Sequence, residues 1–359
     1  MTRFNERMIA YTRVITINLI IFLILLFAIN SACWVYLKNT REPSRSELPN
    51  YESERTYARK IFKEYNKVKQ QYEPFTEWKA LPFQGETTNI LGTGERIVPG
   101  INLNGTPIYR FFGGSTMWGE GSDDSRTIPA YFKQSKPDTQ VINHGQLAYN
   151  SRQNLEKLIN LLTQLDTIGT VIFYDGVNDA AFLCPTEIEV PGHRLVPSFK
   201  RKIDGDNVDY VLIFLDKVFI SNIKRLINRL NYSNQSTLAY NCVGNEEKIS
   251  QIAQGIIRNW EMAHTLVSNS GGRFVAILQP VAFIGNPEVD YLQLDETLGQ
   301  NVVAVYKAVQ KLIKENNYDW IIDMSDTFDN KQSIYIDFCH VSPLGNKIMA
   351  DAIIKILEQ

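Results

Sequence analysis

From Val14 to Leu37 the chain runs 24 residues without a charged side chain, VITINLIIFLILLFAINSACWVYL. A helix rises about 1.5 Å per residue, so this run is long enough to cross a hydrocarbon layer of about 30 Å. Asn18 and Asn30 are its costly polar residues, while Trp34 and Tyr36 stand where an interfacial aromatic belt belongs. Length and all-round apolarity speak against a buried core helix, and we read 14–37 as a transmembrane anchor behind a short tail, residues 1–13. The segment lacks a small-x-small cleavage pattern, and its apolar run exceeds a usual signal-peptide core. Asn30-Ser31-Ala32-Cys33 is only faintly like a lipoprotein cleavage site, and either processing outcome leaves the remainder tethered. Basic residues nearly balance across the span, with Arg3, Arg7 and Arg13 before it and Lys38, Arg41 and Arg45 after it. A short tail ahead of an uncleaved signal-like helix places the large C-terminal part across the membrane, on the periplasmic or extracellular face.

Beyond the anchor, the composition is that of a folded globular chain, 44% hydrophobic and 21% charged. With 37 basic against 39 acidic residues the net charge is −2, which implies no nucleic-acid partner. Cys33, Cys184, Cys242 and Cys339 form no CxxC pair, so a zinc ribbon and a thioredoxin-type site are excluded. None of the four His lies in an HxxxH pair, which speaks against a dedicated metal site. Cys184 and Cys242 either pair outside the cytoplasm or remain two buried free thiols.

Residues 38–106 read as a stalk and an irregular lead-in. Tyr57, Ile61, Phe62 and Tyr65 recur at helical spacing and predict a short amphipathic helix. From about 107, short apolar runs alternate with helical periodicity, the pattern of βαβ units and a parallel sheet. Strands are predicted at Ile108–Phe112, Gln140–Asn143, Thr170–Tyr174, Arg273–Gln279 and Trp320–Asp323. A helix with Leu155, Leu158, Ile159, Leu162 and Leu165 on one face follows the second strand. The last helix carries a stripe of Leu344, Ile348, Ala352 and Ile356, with Ser342 as N-cap and Pro343 at its first position. Residues 181–210 read as a polar excursion, followed by long helices near 208–230 and 245–269.

In open α/β sheets, ligands bind beyond the carboxyl ends of the strands. After the first strand stands Phe112-Gly113-Gly114-Ser115, where two glycines leave a Ser uncrowded at a helix start. Alone, this is an ordinary N-cap after a glycine turn. After the second comes Asn143-His144-Gly145, and after the third Asp175-Gly176-Val177-Asn178-Asp179, each by default a turn. The C-terminal Asp337-Phe338-Cys339-His340 is more specific. An Asp three residues before a His, ahead of a capped helix, lets one turn present both side chains together. The Asp then fixes the imidazole tautomer while the other ring nitrogen faces the crevice, the base-plus-orienter half of a Ser-His-Asp site. His144, His193 and His264 sit in settings that suit structural or surface roles.

In chain order, Gly-Gly-Ser115, Gly145, Gly176-x-Asn178 and Asp337-x-x-His340 resemble the four sequence blocks of the SGNH (GDSL-type) hydrolases. The resemblance covers 107–359, with a long insertion at about 181–270. It implies a flavodoxin-like three-layer α/β/α sandwich with a parallel sheet. By the same resemblance, Ser115 is the nucleophile, His340 the base and Asp337 its orienter. The Ser115 amide, the Gly145 amide and the Asn178 side chain form the oxyanion hole, and no metal or organic cofactor is implied. Gly114 replaces the Asp of the family's Gly-Asp-Ser, a residue outside the triad. The implied activity is that of a membrane-anchored serine esterase on O-acyl groups, above all O-acetyl, with an envelope polysaccharide as a fitting substrate. Two alternatives accompany it. One is an acyltransferase that uses the same triad to modify an envelope glycan, with the insertion as a lid against water. The other is a catalytically idle glycan-binding or scaffold domain, which predicts decay of a catalytic set that is here complete at all five positions.

Overall fold

The computed structural model describes residues 2–39, 45–100, 105–165, 167–190, 192–193, 195, 207–231, 239–329 and 332–358. Five strands, β1 (Ile108–Gly113), β2 (Gln140–Asn143), β3 (Thr170–Asp175), β4 (Arg273–Leu278) and β5 (Ile321–Asp323), form the main sheet. The helices are α1 (Thr2–Asn39), α2 (Arg55–Tyr65), α3 (Ser115–Trp118), α4 (Ile128–Ser135), α5 (Ser151–Leu162) and α6 (Val177–Leu183). They continue as α7 (Asn207–Phe219), α8 (Ser221–Asn231), α9 (Glu246–Asn269), α10 (Glu296–Asn316) and α11 (Pro343–Leu357). The chain divides into two compact units, Met1–Pro43 with Pro197–Thr237, and Ser44–Val196 with Leu238–Gln359.

The first unit contains α1, α7 and α8. Its stretch Met8–Asn39 is long and apolar enough to cross a membrane, and side chains such as Ile15, Phe22 and Ile24 are exposed along it. The segment expected as one helix near 208–230 is two, separated at Ile220.

The second unit is a three-layer sandwich. All pairings within the main sheet are parallel, in the order β2-β1-β3-β4-β5, which is the flavodoxin-like order. Alternate residues of each strand enter opposite layers. Phe112, Val171, Phe173, Phe274, Ala276 and Leu278 pack on one side, and Phe111, Ile172, Tyr174, Val275 and Ile277 on the other. Both faces are covered, so the strands read as continuous apolar runs and not as alternating ones. The first layer is built from α5, α6, α9 and α10, through residues such as Leu158, Trp260 and Tyr306. The second is built from α4 and α11, through residues such as Phe132 and Ile353.

Several local expectations change. The buried face of α11 is Gly345, Met349 and Ile353; Leu344 is exposed, and Ile348, Ala352 and Ile356 form only the shoulder of the contact. Ser342 occupies the N-cap position with extended backbone, but its side chain makes no capping bond. Helix α10 has no counterpart in the sequence reading, and its Val302-Val303-Ala304-Val305 run is rich in β-branched residues that favour strands. Within the insertion placed at about 181–270, α9 belongs to the sandwich core. Cys184 and Cys242 are joined by a disulfide with Cα atoms 5.2 Å apart.

The lead-in residues pack into this unit through polar anchors. Arg96, with a side chain fully removed from solvent, donates to Asp124 Oδ1 at 2.8 Å, Gly119 O at 2.7 Å and Ser122 O at 2.6 Å. Longer bonds reach Trp118 O and Thr87 O, and the guanidinium stacks on the Trp118 ring at 4.3 Å. A buried charge is tolerated only when its donors are met in this way. Arg96→Met keeps the bulk and removes the charge, leaving Asp124 without its cationic partner. The expected cost is about 3–5 kcal/mol, measured as a lowered unfolding midpoint of the detergent-solubilised chain.

Candidate active site

Strand β1 ends in Gly113-Gly114, and α3 starts at Ser115 at the carboxyl edge of the sheet. Gly114 is required by close approach, since a Cβ there would lie 2.4 Å from Asn178 Nδ2 and 3.0 Å from the Tyr149 carbonyl oxygen. That contact is a local reason for glycine where a Gly-Asp-Ser sequence would carry a larger residue.

Asp337 and His340 come from the turn before α11. Asp337 Oδ1 accepts from the amides of Cys339 at 3.0 Å and His340 at 2.8 Å, which fixes the turn. The same carboxylate holds His340 Nδ1, at 2.8 Å from Oδ2 and 3.0 Å from Oδ1. The other ring nitrogen, Nε2, lies 2.7 Å from Ser115 Oγ. With Nδ1–H committed to the carboxylate, Nε2 carries the lone pair and can accept the Ser115 proton.

Two further residues surround the imidazole. Glu120 Oε2 lies 3.2 Å from His340 Nε2. Arg45 bridges the two acids, donating to Glu120 Oε1 at 2.6 Å and Asp337 Oδ2 at 3.0 Å. Burial disfavours charge on His340, but the Asp337 and Glu120 carboxylates outweigh it and raise the imidazole well above its usual pKa. Burial likewise disfavours ionised Asp337, but His340 and Arg45 hold it well below the usual carboxylate range. Sequence reasoning missed Glu120 and treated Arg45 only as a topological charge. The signal for Glu120 was Gly119-Glu120-Gly121: both glycines take left-handed φ values, 96° and 88°. These return the chain so that residue 120, five after Ser115, points back toward His340.

Asn178 lies at the start of α6, just beyond β3. One of its two amide protons is donated to Tyr149 O at 2.7 Å, which orients the group and leaves the other proton beside Gly114. The amide of Gly145 differs, since it already donates to Asn143 Oδ1 at 3.0 Å. In the same loop Ala148 holds a left-handed φ of 64°, an uncommon conformation for a residue with a Cβ; the sequence reading passed over it. Two buried carboxylates secure this rim. Asp175 accepts from Asn154 Nδ2 and Trp260 Nε1, and Asp179 from the Ser151 hydroxyl and amide. Burial raises both pKa values, with the Asp179 charge adding to the effect on Asp175.

The remaining histidines are structural. His144 Nδ1 faces Glu95 Oε1 at 3.2 Å and its Nε2 faces Arg110 Nη1 at 3.4 Å, an environment that fixes a neutral ring. Burial pushes its pKa down to about 4. His193 Nε2 donates to Ala148 O at 2.8 Å, and His264 stacks on Trp320. Asp337, Cys339 and His340 are also close enough together to suggest metal ligands. Burial pushes the Cys339 thiol up to about 11, and the Asp337 carboxylate is already bonded to His340 Nδ1.

No protein-family profile matches the chain, and no curated protein sequence matches it. Solved structures similar to it include a lipolytic protein of the G-D-S-L family from Veillonella parvula, at 12% identity and a TM-score of 0.40, covering 70% of this chain and 98% of that one. Another is an aryl esterase from M. smegmatis, at 11% identity and a TM-score of 0.39, covering 70% and 99%. A third is a carbohydrate acetylesterase from Sinorhizobium meliloti, at 12% identity and a TM-score of 0.39, covering 70% and 99%.

The electrostatics give paired expectations for pH dependence. A protonated His340 cannot take the Ser115 proton, so kcat/KM on a small acetyl ester should rise with pH through the folded pKa. That midpoint should lie above the free-imidazole value of about 6.5. Glu120→Gln removes a negative neighbour and should move the midpoint down; Arg45→Met removes a positive one and should move it up. Profiles that coincide with wild type in both variants would detach these residues from the imidazole.

Proposed function

We propose that the protein is a membrane-anchored serine esterase that cleaves O-acyl esters, above all O-acetyl groups, carried by carbohydrate on the outer side of the membrane. The observation that carries this reading is the continuous chain Ser115 Oγ, His340 Nε2, His340 Nδ1 and Asp337, with both contacts inside hydrogen-bond distance.

A Ser hydroxyl is a poor nucleophile until a neutral imidazole removes its proton. Ser115 Oγ attacks the ester carbonyl as its proton passes to His340 Nε2, and Asp337 stabilises the imidazolium that forms. Negative charge then develops on the carbonyl oxygen. The Ser115 amide at the start of α3 and the free amide proton of Asn178 are the donors assigned to it. The Gly145 amide becomes a third donor by exchanging Asn143 Oδ1 for the oxyanion. His340 returns its proton to the leaving alcohol, leaving an acyl-Ser115. A water, deprotonated by the same imidazole, releases the carboxylic acid and restores the serine.

Ser115 is 8% exposed and the His340 side chain 12%, and this narrow access favours a small acyl group. The location draws support from α1 and from the Cys184–Cys242 disulfide, since such bonds persist in oxidising compartments. Acylated envelope polysaccharides are exposed to a domain tethered there.

Ser115→Ala in the detergent-solubilised chain should abolish release of acetate from an acetylated oligosaccharide and labelling by a serine-directed phosphonate, with an unchanged melting curve. Labelling that persists, or that maps to another Ser, overturns the assignment. Acetyl groups moved to an added glycan instead of released would make the reaction transfer. Asn178→Ala should lower kcat by about 10² to 10³ with little change in KM. A kcat within about threefold of wild type in a folded variant removes Asn178 from the oxyanion hole.

A further inference from the structure

Helices α7 and α8 belong with α1 and not with the sandwich, and what they present outward is apolar. In α7 the consecutive residues Val211, Leu212, Ile213 and Phe214 are each more than half exposed. Four residues in a row cover a full helical turn, so α7 is apolar around its whole circumference there. A helix on a water-facing surface is instead amphipathic. In α8 the pattern differs, since Lys224 and Arg225 are exposed beside the apolar Ile223, Leu226 and Ile227. That combination of a basic face and an apolar face is the composition of a helix lying in a lipid headgroup layer.

The joint between these helices carries the stronger observation. The last carbonyls of one helix and the first amides of the next have no partners within their own helices. Water satisfies such groups at a surface; hydrocarbon does not. Here Asn30 of α1, only 3% exposed, supplies both kinds of partner. Its Nδ2 donates to Val218 O at 2.8 Å, and its Oδ1 accepts from the amides of Asn222 at 2.8 Å and Ile223 at 3.4 Å. Phe27 packs edge-on against Phe219 at 6.4 Å beside this clasp. Asn30 lies seven residues before Leu37, about 10 Å inside the end of the apolar run. The charged groups near the joint are accommodated locally: Asp216 and Lys224 pair with each other, and Lys217 has a long stem that lets its ammonium reach the headgroups. With 13 residues, α7 is about 20 Å long, too short to cross the bilayer.

We infer that α7 and α8 form a second membrane element, an interfacial hairpin clasped onto the anchor by Asn30. Its α7 lies among the acyl chains of one leaflet beside α1, and Arg225 meets anionic headgroups. The inference rests on α1 spanning the membrane.

The test uses the full chain with Cys33→Ser, reconstituted in phosphatidylcholine–phosphatidylglycerol vesicles. Single labelling sites are introduced as Leu212→Cys or Phe214→Cys, with Phe22→Cys as the reference for α1 and Lys311→Cys as the reference for an exposed sandwich surface. Each carries an environment-sensitive fluorophore. Doxyl-labelled lipid should quench positions 212 and 214 at least twofold, as at 22, while iodide should quench only 311. Iodide quenching at 212 and 214 comparable to 311 overturns the hairpin; iodide quenching at 22 as well overturns the span beneath it. Protection from both quenchers, with or without cross-linking between chains, means that protein covers α7 and also overturns the lipid assignment. Asn30→Leu should raise iodide quenching at 214 at least twofold while 22 remains lipid-quenched. An unmoved position 214 would overturn the role of the clasp.

Discussion

The guanidinium of Arg96 has no solvent to face, and the turn following Ser115 is folded around it. Its donors hold the carbonyls of Gly119 and Ser122 and the carboxylate of Asp124. These acceptors bracket Glu120, so satisfying a buried charge also fixes where a second carboxylate stands relative to His340. The lead-in that supplies Arg96 is therefore part of the active-site scaffold. Asn143, at the end of β2, adds a second tie by donating to Met117 O and Trp118 O. A short helix of four residues, which could not hold itself in place, is thereby held from two sides.

Around the imidazole the balance is between two carboxylates and one guanidinium. Asp337 alone would orient the ring; Glu120 adds negative potential on the side of Ser115, where it stabilises the charged imidazole. Excess negative charge would keep the base protonated and also oppose a developing oxyanion. Arg45 touches both acids and offsets that excess. Its position between α1 and α2 means that the residue tempering the imidazole comes from what reads in sequence as a stalk.

The sheet was legible because parallel strands buried on both faces are plain apolar runs, and all five strands of the main sheet were placed within a residue at each end. Ser115, His340 and Asp337 could be singled out because short motifs encode their local settings, such as Asp337 and His340 in one turn, and the structure brings the three together. What the sequence hid has physical causes. Glu120 and Arg45 matter through contacts between distant segments, 75 residues apart in chain order. Helix α10 hid behind β-branched residues that packing overrides. The hydrophobic stripe of α11 was read one position away from its buried face, because Met349 and Gly345 carry less apolar signal than their neighbours Leu344 and Ile348. The polar cost of Asn30 was visible, but the backbone groups that it satisfies come from residues almost two hundred positions later.

The disulfide between Cys184 and Cys242 has a consequence for how such a chain can change over evolutionary time. With the two Cα atoms held 5.2 Å apart, everything between them departs from and returns to nearly one point. Lengthening a closed loop adds only a slowly growing entropic cost, and here the covalent bond fixes the crossing whatever its contents. The sandwich can therefore keep its sheet while the intervening residues are exchanged, lengthened or lost. Such a port lets one scaffold be fitted to different surroundings without disturbing its strands.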